Sequence, residues 1–340
     1  MELSGGAKRG CLWLFIWACG GDAPGPPADP GCDAEGALDG TVTYADVQSV
    51  GTHNSYHVEP ATVFDDSHRY THPPLTTQLE LGVRTFELDV HARTDGGFSV
   101  FHLPVIDPET TCADLADCLG ELKAWSDAHR CHVPILVWIE PKDEIDGAIE
   151  GLELLEGRMQ DLDDALGGVW PDARVIRPGD LLRGAPDLAT AIAEQGWPLL
   201  REMRGKIIFA LLDSGARREE VLAADPVLGT GRLFVDGEIG EPWSVFFKVN
   251  NAVADRQAVE AARAGGGIVT SNASDEASDA AAAEWAAAWE AGPHHVCSDF
   301  VDPGGAYVAS LAEGSPRCER ARVEGGCGPD VLEPEPTPVR

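Results

Sequence analysis

The run Val133-Pro134-Ile135-Leu136-Val137-Trp138-Ile139 stops abruptly at Glu140, and apolar stretches that end on a polar side chain recur along the chain. Val83 to Val90 is rich in β-branched and aromatic residues and carries Glu87 and Asp89 within it, which reads as a strand. Further strand-like pieces are Thr43 to Val50, Phe98 to Phe101, Arg174 to Ile176, Lys206 to Leu212, Val245 to Val249, Gly267 to Thr270 and His295 to Ser298. Between them the apolar period changes to three and four. Leu115, Leu119, Leu122 and Trp125 share one face of a helix over Cys112 to Ala128, and Leu75 to Leu81 is a short helix stopped by Gly82. Ala254 to Ala264 and Asp275 to Ala291 are also helical, the second an Ala-rich exterior helix bearing Trp285 and Trp289. Alternation of strand and helix predicts the α/β class with a parallel sheet. About eight strand positions over roughly 260 residues fit a (β/α)8 TIM-type barrel, usually ~250 residues long.

Such barrels project their chemistry from the C-terminal ends of strands. His53, in Gly51-Thr52-His53-Asn54-Ser55-Tyr56-His57, and Glu87, Asp89 and Glu140 all stand at or just past such ends, so they converge on one mouth. Glu87 and Asp89 are two apart and share a strand face. Paired carboxylates repel unless a cation neutralises them. With Asn54 and Glu140 they make an all-oxygen set suited to Ca²⁺, with Mg²⁺ second. His53 and His102 flank this set, and two imidazoles can take and return protons near neutral pH, as phosphodiester cleavage requires. Lys142 and Lys248 are candidate substrate contacts for a phosphate or hydroxyl, a plain surface role being equally open. Asp299, ending the last strand, is positioned to orient a histidine. His57, His68, His72, His91, His129, His132, His294 and His295 read as structural hydrogen-bonding residues.

Acidic residues outnumber basic ones 57 to 25, a net charge of −32, which excludes nucleic-acid binding. That charge also repels anionic membranes and phosphate esters unless a cation intervenes. The N-terminus reads as a signal peptide over residues 1–18, with Lys8-Arg9 before the apolar Leu12 to Ala18. The apolar run falls short of the ~20 residues that span a bilayer. Ile16-Trp17-Ala18-Cys19 resembles a lipoprotein cleavage box with Cys19 acylated, and residues 19–40 read as a flexible linker. An exported protein, lipid-anchored to a bacterial envelope or secreted, is expected. Beyond Cys11 and Cys19 the cysteines are Cys32, Cys112, Cys118, Cys131, Cys297, Cys318 and Cys327, an odd number. Cys112 and Cys118 are the best local bridge, and no C-x-x-C pair suggests a zinc cage. The barrel is assigned to residues 41–305, and residues 306–340 read as a tail pinned by Cys318 and Cys327 or disordered.

Val47 to His57, Pro73 to His102, Cys112 to Leu119 and Val133 to Asp143 resemble, in order and spacing, the calcium-dependent phosphoinositide-specific phospholipase C family, especially its secreted bacterial branch. The resemblance covers roughly residues 43 to 302 and implies a PLC-like phosphodiesterase barrel. It places His53 and His102 on the two catalytic histidines and Asn54, Glu87, Asp89 and Glu140 on the calcium ligands. It further implies cleavage of the glycerol–phosphate bond by attack of the inositol 2-hydroxyl, on a phospholipid or inositol phosphodiester at a membrane surface. Calcium-independent relatives carry arginine where Asp89 stands, so metal dependence is expected. Where the secreted branch often shows an Arg-Thr-Arg-like stretch, this chain has Thr270-Ser271-Asn272, without cations to clamp a phosphate. No protein partner is inferred. Two readings stay open beside this one: a glycerophosphodiester phosphodiesterase, although that family opens with His-Arg-Gly rather than His53-Asn54-Ser55, and a non-catalytic surface lipoprotein used as a binding module.

Overall fold

A computed structural model describes Met1, Cys32 and residues 37–143, 145–273, 280–305 and 307–334. The signal peptide, Cys19 and most of the expected linker lie outside the described residues. No helix among the described residues is long and apolar enough to cross a membrane.

Eight parallel strands form the barrel: β1 (Val47–Thr52), β2 (Val83–Arg93), β3 (Ile135–Pro141), β4 (Ile207–Leu211), β5 (Leu233–Val235), β6 (Phe246–Lys248), β7 (Ile268–Asn272) and β8 (His295–Ser298). Their order around the wall is β5-β4-β3-β2-β1-β8-β7-β6, every neighbouring pair parallel. A single parallel bridge, Asp236 to Phe246, brings the two ends together and nearly closes the ring. Trp138 Nε1 donates across the lumen to Thr270 Oγ1 at 3.1 Å, so Trp138 and Thr270 point inward. By the two-residue period of a strand, Leu136 and Glu140 then face inward as well. Trp138 fills the lumen level with Glu87, directly beneath the mouth that Glu140, one step higher, reaches. The outward set, including Phe86, Leu88 and Val90, is fully buried in one continuous apolar core.

One expectation changes. Arg174 to Ile176 is not a strand: Asp172–Arg174 is a 3-10 turn, and Val175 makes one isolated bridge to Ile207. The strand that completes the ring is Leu233–Val235 instead, and no helix separates it from β6. Phe98–Val100 lies off the barrel path, pairing antiparallel with the end of β2 across the turn at Thr94–Gly97. Described residues near both ends of the chain are tied to the barrel. Cys32, inside the expected linker, is buried and bridged to Cys131 across a separation of 99 residues. A loop of that size carries on the order of 4 kcal/mol in chain entropy. At the other end, Arg317–Cys318 pairs antiparallel with Val47 and Gln48 of β1, Cys318 bridges Cys327, and Glu333 accepts from Arg84 and from Val133 N. The C-terminal segment packs under the N-terminal end of β1. Cys112 and Cys118 form the local bridge, and Cys297 is a buried thiol.

Gly51 shows why the first strand needs a glycine beside the site. A Cβ there would lie 2.5 Å from Cys297 Sγ and 3.0 Å from Thr85 Cβ. The bare backbone lets β8 and β2 close on β1 just below His53.

Candidate active site

The turn after β1 is clasped to β2 by its own backbone. Ser55 N donates to Glu87 O at 2.9 Å, and Glu87 N donates to Ser55 Oγ at 2.8 Å. Asn54 takes a left-handed backbone, φ 42°, a conformation asparagine tolerates better than most residues. This turn sets His53 over the mouth. Its Nδ1 lies 2.9 Å from Asp299 Oδ1 and its Nε2 3.5 Å from Glu87 Oε1. Register explains the first contact: Thr52 pairs with Ser298, so His53 and Asp299 leave adjacent strands together. Burial opposes charge on the ring, but Asp299 and then Glu87 override it and lift the His53 pKa to about 10. His72 donates from Nε2 to His53 O at 2.9 Å and is kept neutral, its pKa brought down to about 3 by burial.

Glu87, Asp89 and Glu140 present one oxygen each within 4.8 Å of one another. Asp89 is fully buried and its oxygens make no well-formed hydrogen bond, the Tyr56 hydroxyl and the Lys142 ammonium standing close to them. Burial, with the Glu140 charge beside it, pushes its pKa well above the usual carboxylate range. Lys142 Nζ stands 3.9 Å from Asp89 and 2.8 Å from Glu140, and Lys248 Nζ is paired with Glu87. Burial works against the Glu87 charge, but Lys248 and His53 hold its pKa low. Asn54 reaches the same group through Tyr56, whose hydroxyl lies 3.5 Å from Asn54 Oδ1 and also contacts Asp89. Two buried and poorly satisfied oxygens among further carboxylates fit a hard divalent cation, because a weakly compensated buried charge is otherwise costly. The ammonium groups of Lys142 and Lys248 are thus engaged by carboxylates of this same set.

His102 belongs to a second cluster, built around Asp107. Leu103 and Asp107 exchange both backbone hydrogen bonds, 3.0 and 3.1 Å, and force Val105 into a left-handed φ of 72° that a β-branched residue rarely adopts. The strained turn presents Asp107 to three rings. Its Oδ2 lies 2.7 Å from His102 Nδ1 and 3.5 Å from His68 Nδ1, and His57 Nε2 is 3.0 Å from both oxygens. His57 and His68, read from the sequence as structural, are therefore partners of the carboxylate that holds His102. Burial pulls the Asp107 pKa up, but hydrogen bonds from His102 and His57 prevail and bring it down to about 2.

That depression has a sign. A carboxylate with a lowered folded pKa stabilises the fold above its unfolded value and loses the contribution as pH falls through the folded one. Asp107→Asn should therefore be less stable than wild type near neutrality. The gap should narrow by about 2 kcal/mol between about pH 4 and about pH 2. Urea unfolding of both proteins across that range measures it, and a gap independent of pH would show that Asp107 is not held as the ion.

The sequence model of the phosphoinositide phospholipase C family, Ca²⁺-dependent, matches residues 42–99 and 95–319. The chain belongs to this family. It is a phosphoric diester hydrolase by that membership, which decides between the two phosphodiesterase readings of the first motif. Among solved structures, a calcium-dependent phosphatidylinositol-specific phospholipase C from Streptomyces antibioticus superposes with a TM-score of 0.56 at 21% identity, covering 76% of this chain and 95% of that one. A calcium-dependent phosphoinositol-specific enzyme from a Pseudomonas species gives 0.55 at 18% identity, covering 78% of this chain and 92% of that one. At such identity these likenesses speak for the barrel fold. No curated protein matches the sequence at a significant level.

Proposed function

We propose that the protein is an exported, calcium-dependent phospholipase C acting on phosphatidylinositol or a related inositol phosphodiester, with His53 and His102 as its catalytic histidines. Asp89 is the observation that carries the reading: its buried, poorly satisfied carboxylate beside Glu87 and Glu140 supports a cation at this place. Asn54, Glu87, Asp89 and Glu140 would hold Ca²⁺. A cation bound there supplies acidification of a substrate hydroxyl and neutralisation of charge on the phosphate.

The chain's own groups do the rest. His53, kept as an imidazolium by Asp299 and Glu87, stabilises negative charge building on the phosphoryl oxygens. His102 points Nδ1 at Asp107, which fixes the ring and leaves Nε2 to protonate the departing glycerol oxygen. Lys142 and Lys248, paired with the ligand carboxylates in this structure, become available to the substrate's phosphate or hydroxyls if the cation takes over those carboxylates. Attack by the neighbouring hydroxyl gives a cyclic phosphate, which water opens with His102 working in reverse.

The rim of the mouth suits a lipid. Phe64, Val105, Ile106, Ile145, Ile239 and Val253 are exposed, and all lie in loops that leave C-terminal strand ends. Such a collar can meet acyl chains while the polar centre takes the head group. Acylation of Cys19 would keep the enzyme at an envelope membrane.

Replacing His102 by Ala tests the assignment. A general acid typically contributes ~10²–10⁴-fold, and the loss should appear in full on an alkyl phosphodiester of the head group. On the nitrophenyl ester it should be far smaller, because that leaving oxygen needs no proton in the transition state. Equal losses on the two esters would remove His102 from the acid role.

A further inference from the structure

We propose that Asp107, His102 and His68 form a second metal site, suited to a borderline transition-metal ion of the Zn²⁺ class, through which such an ion inhibits the enzyme. The three residues offer donor atoms within 4.8 Å of one another and share none with the Glu87, Asp89 and Glu140 set. His68 is 8% exposed, and its Nδ1 is buried, faces Asp107 Oδ2 at 3.5 Å and makes no hydrogen bond. A buried ring nitrogen without a hydrogen bond, aimed at a buried carboxylate, is a costly arrangement that a cation between them would relieve.

Donor chemistry separates this site from the first. Two imidazoles and one carboxylate suit Zn²⁺ and its neighbours, whereas an all-oxygen set suits Ca²⁺. Zinc bonds of ~2.0–2.2 Å in a tetrahedral shell set donors roughly 3.4 Å apart, and the 3.5 Å between His68 and Asp107 already meets that. The 2.7 Å from His102 Nδ1 to Asp107 is a proton-sharing distance and would open as the ion replaces that proton, which leaves to solvent. His57, 3.0 Å from both carboxylate oxygens and 3.1 Å from Tyr70 O at its other nitrogen, orients Asp107 from outside. The supporting loops are shaped for this. His68 ends a 3-10 turn capped by the Asp65 side chain, and Asp107 sits in the strained turn described above.

Occupation would silence the proposed acid. With Nδ1 on a metal, His102 cannot become an imidazolium, and the proton left on Nε2 belongs to a neutral imidazole, a far weaker acid. The inhibitory part of the proposal rests on that role of His102, whereas the binding part does not.

The test uses the full mature chain in saturating calcium. Calorimetric titration should find one further equivalent of Zn²⁺, and Co²⁺ in its place should give the visible absorption of a nitrogen-containing, low-coordinate site. His68→Gln should weaken Zn²⁺ binding roughly tenfold or more and raise the inhibitory concentration by the same factor, each measured against that variant's own calcium-dependent turnover without zinc. Inhibition of the wild type should be strong on the alkyl ester and weak on the nitrophenyl ester. Unchanged Zn²⁺ inhibition in His68→Gln, release of Zn²⁺ by added Ca²⁺, or a Co²⁺ spectrum like that of the aqueous ion would each overturn the proposal. A protein that binds the second ion but cleaves no inositol phosphodiester would instead count against the phospholipase reading alone.

Discussion

Asp89→Asn should abolish calcium-dependent turnover and yet raise the melting temperature measured in chelator. Without a cation, Asp89 is a buried carboxylate with no well-formed hydrogen bond, between Glu87 and Glu140, and Lys142 stands off at 3.9 Å. Holding the charge there, or taking up a proton to avoid it as the raised pKa implies, costs several kcal/mol that a permanently neutral amide does not incur. With calcium the sign reverses. Wild type gains stability by binding a ligand that only the folded state holds, about 2.7 kcal/mol at a hundred times Kd. Asp89→Asn lacks the proposed central ligand and should show little of that gain, while kcat/KM falls by roughly 10³-fold or more as charge stabilisation at the phosphate is lost. Thermal melts of both proteins in calcium and in chelator give all four values. A variant less stable than wild type in chelator, or equally stabilised by calcium, would take Asp89 out of the metal site.

The sequence showed what lies along strands and hid what loops bring together. β3 was readable as a long apolar run ending on Glu140 and β2 as β-branched and aromatic residues carrying Glu87 and Asp89 on one face, while β1 was marked by the His53 motif that follows it, and a barrel sends all such ends to one mouth. Asp299 was readable for the same reason, since a closed ring makes β8 the neighbour of β1. Leu233–Val235 escaped because three residues carry no period, and the helix that would have marked its far end is absent. Arg174 to Ile176 has comparable composition but only one bridge, so composition alone could not rank the two. Asp107 had no signal of its own. It sits in Pro104-Val105-Ile106-Asp107, which reads as an ordinary turn, and its three histidines come from two different loops. Only tertiary structure turns His57 and His68 from two of eight imidazoles read as structural into partners of the residue that holds His102.

A head group without a hydroxyl beside the phosphate should bind but scarcely react. In the proposed mechanism the substrate supplies its own nucleophile, and the protein's contribution is to hold that oxygen, the phosphorus and His53 together. Reacting atoms already in place are worth ~7–11 kcal/mol over a separate water, so a 2-deoxy analogue should fall by many orders of magnitude in kcat with a much smaller change in KM. The upper wall of the mouth bears on which head groups fit. Thr270 is buried and committed to Trp138, Ser271 Oγ accepts from Ala252 N, and at the rim Asn272 offers a buried amide oxygen with no hydrogen-bond partner. An acceptor amide in the place of a cationic clamp suits a sugar hydroxyl better than a further phosphate, so unphosphorylated inositol should be preferred over its phosphorylated forms. Phosphorus NMR of the products reads both points. The parent substrate should pass through a cyclic phosphate before any monoester appears, and the deoxy analogue should give neither at a comparable rate. A phosphomonoester formed directly from the deoxy compound, about as fast as from the parent, would mean that water is the nucleophile and that His53 and the metal ligands serve a plain hydrolysis.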